Sequence, residues 1–221
     1  MKFHLITLFE EACDAYLSAS IIGRARKEKK ISITYQNPRD FVVGSEGGYK
    51  KVDERPYGGG PGMVMIALPV VKAVEKSLKT RVKTPRKQMI IWFSPSAKQF
   101  TNKDADTLAK YDDVVLVCGR YEGIDERAKK MLKTMATVKE FAVGEAVYTG
   151  GEVPSLAIVD AITRRIPGVL GKDSSVEERR IASSVVYTRP EAISYKEKKY
   201  IVPKVLQTGH HANIDAWRSK K

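Results

Sequence analysis

Four turn segments hold the residues best placed for chemistry: Tyr57-Gly58-Gly59-Gly60-Pro61-Gly62, Ser94-Pro95, Cys118-Gly119-Arg120-Tyr121-Glu122-Gly123, and Val143-Gly144 running on to Thr149-Gly150-Gly151-Glu152. Without a Cβ, glycine lets backbone N–H and C=O groups come close to a flat or charged ligand. The last three segments each follow a strand-like apolar run. In an open α/β sheet, ligands collect in the crevice beyond the carboxyl ends of the strands. Three consecutive turns could therefore converge on one small-molecule site. The same glycines would equally serve tight strand-to-helix turns, and the residues alone leave both readings open. Dinucleotide and P-loop chemistry are poorly supported. No Gly-x-Gly-x-x-Gly follows the first strand, and no Gly-Lys-Ser/Thr closes a glycine-rich loop. The triple glycine at 58–60 follows charged loop residues instead of a strand. Cys13 and Cys118 are the only cysteines, and no Cys/His cluster has metal-ligand spacing. They read as reduced thiols of a cytosolic, cytoplasmic protein.

The elements that would position these turns alternate between two periods. Strands are expected at 3–9, 31–35, 89–93, 114–118 and 141–143. Amphipathic helices are expected at 10–28, 69–79, 102–110, 125–134 and 154–165, the last with Pro154 in its first turn. This alternation predicts an α/β fold, a mostly parallel sheet with flanking helices. After Gly171 the pattern changes to a polar segment at 172–184, short mixed segments at 185–192 and 195–206, and a brief helix at 210–221. A linker and a short basic C-terminal appendage are expected there.

The chain of 221 residues carries 39 Lys+Arg against 26 Asp+Glu, a formal net charge of +13. Such a field favours a polyanionic partner. No window holds 18 consecutive apolar residues, and no basic amphipathic helix recommends a membrane surface, so nucleic acid is the expected partner and no membrane is. No signal peptide is visible at the N-terminus. The lysine- and arginine-rich stretch 79–87 reads either as a solvated connection or as an RNA contact.

Several segments are far more specific than a lone glycine motif. Asp53-Glu54-Arg55-Pro56-Tyr57-Gly58-Gly59-Gly60-Pro61-Gly62-Met63 and Cys118-Gly119-Arg120-Tyr121-Glu122-Gly123-Ile124-Asp125-Glu126-Arg127 closely resemble the bacterial tRNA (guanine-N1)-methyltransferase family, TrmD. So do Thr149-Gly150-Gly151-Glu152-Val153-Pro154, Ile166-Pro167-Gly168-Val169-Leu170-Gly171, Tyr187-Thr188-Arg189-Pro190-Glu191 and Gly209-His210-His211-Ala212. The resemblance runs in order from Phe3 to Arg218. It implies a SPOUT-type fold with a C-terminal trefoil knot, and a homodimer with active sites shared between subunits. It also implies methyl transfer from S-adenosylmethionine to N1 of guanosine 37 of tRNA, beside the anticodon. On this resemblance, residues 1–165 form the methyltransferase domain, 166–186 a linker over the active site, and 187–221 a shortened tRNA-binding domain. Cofactor contacts would fall to Phe93, Ser94, Pro95, Gly119, Tyr121, Val143, Gly144, Tyr148, Gly150, Gly151 and Pro154. Arg39, Lys50, Lys51 and Arg189 would contact RNA phosphates.

N1 of guanine carries a proton at neutral pH, so its methylation needs a base, a role worth roughly 100- to 10,000-fold. Proton loss pushes negative charge onto O6, where a guanidinium can stabilise it. The family's arginine matches Arg164, which could otherwise simply answer the dipole of its helix. Its aspartate base falls in the segment Ser174-Ser175-Val176-Glu177-Glu178-Arg179. A one-residue deletion places Glu178 there; without it the position is Arg179, which cannot act as a base. Glu178 is preferred because the flanking residues then match as well. Glu122 and Asp125 could help bind a catalytic Mg2+, or Asp125 could cap the following helix. Departures include Tyr49 where a histidine is usual and Ala97 where a glycine is usual. Two other readings compete: a SPOUT methyltransferase acting on another RNA site, and a catalytically inactive RNA-binding homologue.

Overall fold

The computed structural model describes residues 1–44, 50–79, 86–171 and 185–219. These fall into two compact units, Met1–Leu170 and Gly171–Lys221. The first unit is built on five parallel strands in the order β2-β1-β6-β5-β7. Their bounds are β1 Lys2–Ile6, β2 Ser32–Gln36, β5 Gln88–Phe93, β6 Asp113–Val117 and β7 Thr137–Phe141, with a two-stranded ladder of β3 Asp53–Glu54 and β4 Val64–Met65 beside them. Among its described residues, six α-helices complete the unit, α1 Glu10–Leu17, α2 Ser20–Lys27, α3 Ala67–Leu78, α4 Asn102–Leu108, α5 Glu126–Leu132 and α6 Glu152–Thr163, with a 3-10 helix at Pro38–Phe41.

Side chains alternate across a strand, and both faces of this sheet are covered. Phe3, Leu5, Met89, Ile91, Val114, Leu116 and Phe141 pack with Cys13, Leu17, Leu108, Ile158 and Ile162 in one cluster. Their neighbours Ile6, Ile90, Trp92, Val115 and Val117 pack with Val70, Val74, Ala128 and Leu132 in the other. The central strands β5 and β6 are therefore apolar on both faces, as a parallel sheet requires.

The helix expected over 10–28 is two helices. The break falls at a serine-rich step, where side chains compete with the helix for backbone groups. Ser18 Oγ donates to Asp14 Oδ2 at 2.9 Å, and Ser20 takes φ 48°. A Cβ on Gly23 would lie 2.0 Å from the Ser18 carbonyl oxygen, so only glycine lets α2 seat against that turn. Strand β1 ends at Ile6, before the expected residue 9, because Thr7 turns to accept the Phe9 N–H at 3.0 Å. The strand expected at 141–143 instead spans Thr137–Phe141. It is an edge strand whose half-exposed Lys139 and Glu140 hide the apolar alternation.

In the second unit, β8 Ala192–Tyr195 and β9 Lys198–Ile201 form an antiparallel hairpin, and α7 spans His211–Arg218. The hairpin replaces the mixed segments expected there. No helix among the described residues is long and apolar enough to cross a membrane.

Two buried polar features make predictions about stability and reactivity. Cys13 and Cys118 are both buried and unpaired. Burial pushes the Cys13 thiol up to about 11 and raises that of Cys118 well above its ordinary value. The native protein should therefore resist a disulfide-exchange reagent at pH 8, while both thiols react in denaturant; fast labelling of either in the native state would contradict this. The second feature is His4, whose Nδ1 lies 2.7 Å from Thr34 Oγ1 and whose Nε2 lies 3.4 Å from Asp113 Oδ1. Burial lowers the His4 pKa below 6.5 despite the carboxylate beside it. Because the unfolded chain then binds the proton more readily, His4's contribution is present above 6.5 and is lost as pH falls through its lowered folded value. The urea midpoint should fall between pH 7 and pH 5, and less steeply in His4→Gln.

Candidate functional site

Beyond the carboxyl ends of β5, β6 and β7 lies a cleft of about 260 Å³. One wall is Phe93, Ser94 and Pro95; the next is the turn Gly119, Arg120, Tyr121, Glu122 and Gly123. The third comprises Phe141, Ala142 and Val143, then Ala146, Val147, Tyr148, Thr149, Gly150, Gly151 and, on α6, Pro154. Backbone bonds set these walls. Ser94 N–H donates to the Phe141 carbonyl at 3.1 Å, and Phe100 N–H to that of Ala142 at 2.9 Å.

The turn after β6 is held by residues 63–65, which follow the glycine-rich loop at 58–62. Glu122 N–H donates to Met63 O at 3.0 Å, Met65 N–H to Gly123 O at 2.9 Å, and Asp125 N–H to Met65 O at 3.0 Å. Tyr121, at φ 59°, and Gly123, at φ 126°, make the turn tight enough for this docking. The fourth glycine segment thus leads into the residues that buttress the cleft, and its Gly62 packs against the Glu122 side chain. Spacing could not show this, because β4 is only two residues long.

The closest approach is between the second and third walls. Gly151 N–H donates to the Gly119 carbonyl at 2.9 Å. A Cβ on Gly151 would stand 2.6 Å from Cys118 Cα and 2.9 Å from Gly119 N. Behind this contact, Glu152 is 4% exposed. Its Oε1 accepts from Thr7 Oγ1 at 2.8 Å, and its Oε2 lies 2.9 Å from Arg120 Nε. That second contact is close enough for an ion pair, but neither atom has a partner in hydrogen-bond geometry. Its attraction is therefore mainly Coulombic. The Arg120 guanidinium also stacks on Phe9, 4.5 Å from the ring centroid. Thr7, Arg120 and Glu152 thereby tie the ends of β1 and β6 to the start of α6.

All the residues expected to touch the cofactor line this cleft except Gly144. Gly144, at φ 73°, makes the turn after β7, and its carbonyl accepts from Gln99 Nε2 at 3.0 Å. The lining also includes Arg120, Glu122, Gly123, Phe141, Ala142, Ala146, Val147 and Thr149, which the sequence reading did not single out as cofactor contacts. Arg120, Glu122 and Gly123 stood inside a quoted turn, so adjacency was their available signal. Ala146 and Val147 carried none.

Arg164 is the C-cap residue of α6, half-buried and outside the cleft lining. Glu178 lies outside the described residues, as does Tyr49. Arg39 Nη1 donates to the Lys50 carbonyl at 2.9 Å, and Lys51 Nζ donates to Glu54 Oε2 at 2.7 Å. These three candidates are thus neighbours, whereas Arg189 is an exposed residue of the second unit. Asp125 is the N-cap of α5: its side chain accepts from Arg127 N–H at 2.9 Å and pairs with the Arg127 guanidinium. Among the described residues, no group of three His, Cys, Asp or Glu side chains could hold a metal ion.

The profile of the family described as tRNA (Guanine-1)-methyltransferase TrmD matches residues 1–221. A protein of Lachnospira eligens named tRNA (guanine-N(1)-)-methyltransferase is 41% identical, over 100% of this chain and 89% of its own length. Namesakes from Clostridium acetobutylicum, at 40% identity, and Actinobacillus pleuropneumoniae serotype 5b, at 38%, are matched over 86% and 84% of their lengths and 100% and 99% of this chain. With a profile match over its whole length and relatives this similar, the chain belongs to the tRNA (guanine-1)-methyltransferase TrmD family.

Proposed function

We propose that this chain methylates N1 of guanosine 37 of tRNA, using S-adenosylmethionine as donor. The observation that carries the reading is the glycine-walled cleft, formed by three post-strand turns in a chain of this family. Its chemistry fits the cofactor. Phe93, Pro95, Val143 and Pro154 offer apolar surface, Tyr121 and Tyr148 offer aromatic edges, and Gly119, Gly150 and Gly151 leave backbone groups uncovered. S-adenosylmethionine bound there would supply an activated methyl group. The protein's own work is to hold that donor, orient the base and manage one proton.

Glu178 takes the N1 proton, and the Arg164 guanidinium stabilises the charge that develops on O6. Helix α6 rises about 15 Å between Pro154 and Arg164, so Arg164 is remote from the cleft of its own chain along that helix. This separation favours a homodimer in which each active site is completed by the second copy. The close pass of residues 149–151 against Cys118 and Gly119 supports a SPOUT trefoil knot at the cofactor site. Glu122 is the cleft carboxylate available to Mg2+, together with substrate oxygens, since Asp125 is committed to its helix cap. Residues 1–165 carry the reaction, 166–186 cover it, and 187–221 with Arg39, Lys50, Lys51 and Arg189 grip tRNA in the cytoplasm.

Single-turnover methyl transfer tests the two roles. Glu178→Gln should slow the chemical step by about 100-fold or more while cofactor affinity holds, because it removes a base. Arg164→Ala should lower the rate by about 100-fold, the range for losing one donor to a developing oxyanion. If neither variant slows transfer, the assignment of the chemistry is wrong.

A further inference from the structure

At the end of the sheet away from the methyl-transfer cleft is a second hollow of about 580 Å³, lined in part by Lys2, Arg26, Lys29, Arg86 and Asp112. We propose that it is a phosphate-binding site which holds the backbone of the RNA substrate at a distance from the reacting base. The proposal deepens the reading above, since it takes an RNA substrate as given.

Four cations from three separate elements line it beside Asp112, and the two arginines are each paired with a further carboxylate behind them, Arg86 with Asp113 and Arg26 with Asp14. Lys2 opens β1, Arg26 and Lys29 come from α2 and the turn after it, and Arg86 precedes β5. Two of the four are held in place from behind. Arg86 Nε donates to Asp113 Oδ2 at 2.5 Å and its Nη2 to Asp113 Oδ1 at 2.8 Å. Asp113 is fully buried, and Gln88 also donates to it. Arg26 Nη1 is fixed by Asp14 Oδ1 at 2.7 Å and Ser18 Oγ at 2.8 Å. A guanidinium anchored along one edge keeps N–H donors on the other, oriented for a phosphate. Lys2 and Lys29 are exposed and make no ion pair among the described residues, so they add mobile charge at the rim.

Nothing in the methyl-transfer reading uses this group. Sheet length separates it from the reaction, since β1 alone rises about 13 Å from Lys2 to Ile6. One small ligand cannot span both places, but an extended polyanion can. The hollow is open, and its cations are spread around it instead of closing over a single phosphate. Free phosphate and an RNA backbone offer the same chemistry, and the spread favours the backbone.

The test is the salt dependence of RNA binding by the full chain and by Lys2→Gln/Lys29→Gln, neither residue having a part in the reaction site. Two probes are used, a tRNA transcript and an unrelated RNA duplex. The variant should lose about two units of slope in log K against log[salt] on both, since each phosphate contact contributes roughly 0.9. Its cofactor affinity and its rate at saturating tRNA should be unchanged. Equal slopes for the two proteins would overturn the site, whatever the methyl-transfer result. A slope change without N1-methylguanosine would leave the site standing and overturn the substrate assignment instead. Calorimetric titration with pyrophosphate separates the sources: saturable binding lost in the variant, with RNA slopes unchanged, would replace the RNA site with a small-phosphate one.

Discussion

Gly151→Ala should abolish cofactor binding and lower stability by about 3 kcal/mol or more, at the upper end of overpacking costs. The backbone at Gly151, at φ −79° and ψ −4°, suits any residue, so the effect comes from contact alone. The new methyl would meet Cys118 Cα at 2.6 Å and Gly119 N at 2.9 Å. Both atoms belong to backbone at the end of a central strand, and neither can swing aside as a side chain could. Relief requires the second and third walls of the cleft to part, which breaks the Gly151–Gly119 hydrogen bond and spoils the cofactor's seat. Gly171→Ala is the control, because a Cβ there meets nothing within 4 Å. Thermal unfolding and cofactor titration of both variants check the expectation. A Gly151→Ala protein with normal cofactor affinity would show that the two walls need not touch.

Glu152→Ala should cost about 3 kcal/mol, because it leaves Arg120 without its counter-charge and Thr7 without its acceptor. Arg120 keeps a quarter of its side chain exposed, which holds the loss to the low end for a broken buried pair. Glu152→Gln keeps the shape and the Thr7 bond and removes the charge, so it should fall between the two. If the pair positions the cleft as well as stabilising the fold, the Gln variant will bind cofactor more weakly at a temperature where it is fully folded. Equal affinity for wild type and Glu152→Gln would confine the pair to a structural part. Urea midpoints with cofactor titration at 15 °C separate the two effects.

How far the sequence revealed this site depended on where each residue sits. The central strands were legible because both their faces are covered, which leaves short uninterrupted apolar runs such as Met89–Ile91. Edge strand β7 was misplaced because Lys139 and Glu140, partly exposed on opposite faces, interrupt its apolar run. The walls of the cleft were legible because glycines after strands have a physical reason to be there. Gly144 falls just outside the lining, where its carbonyl accepts from Gln99. The Thr7–Glu152–Arg120 tie was not legible: its members are 145 residues apart at the extremes, and no local pattern marks a carboxylate as buried. The docking of 63–65 onto 122–125 was hidden for a related reason, since it rests on backbone bonds that carry no side-chain signature. The roles proposed for Arg164 and Glu178 rest only on the family resemblance.

The most direct test is methyl transfer from S-adenosylmethionine to an unmodified tRNA transcript with guanine just 3′ of the anticodon, beside a control transcript with adenine there. Mass spectrometry of the digested product should find N1-methylguanosine in the first and none in the second. Cofactor binding without N1-methylguanosine, or an equal yield from the control, would contradict the assignment of this cleft to guanosine 37.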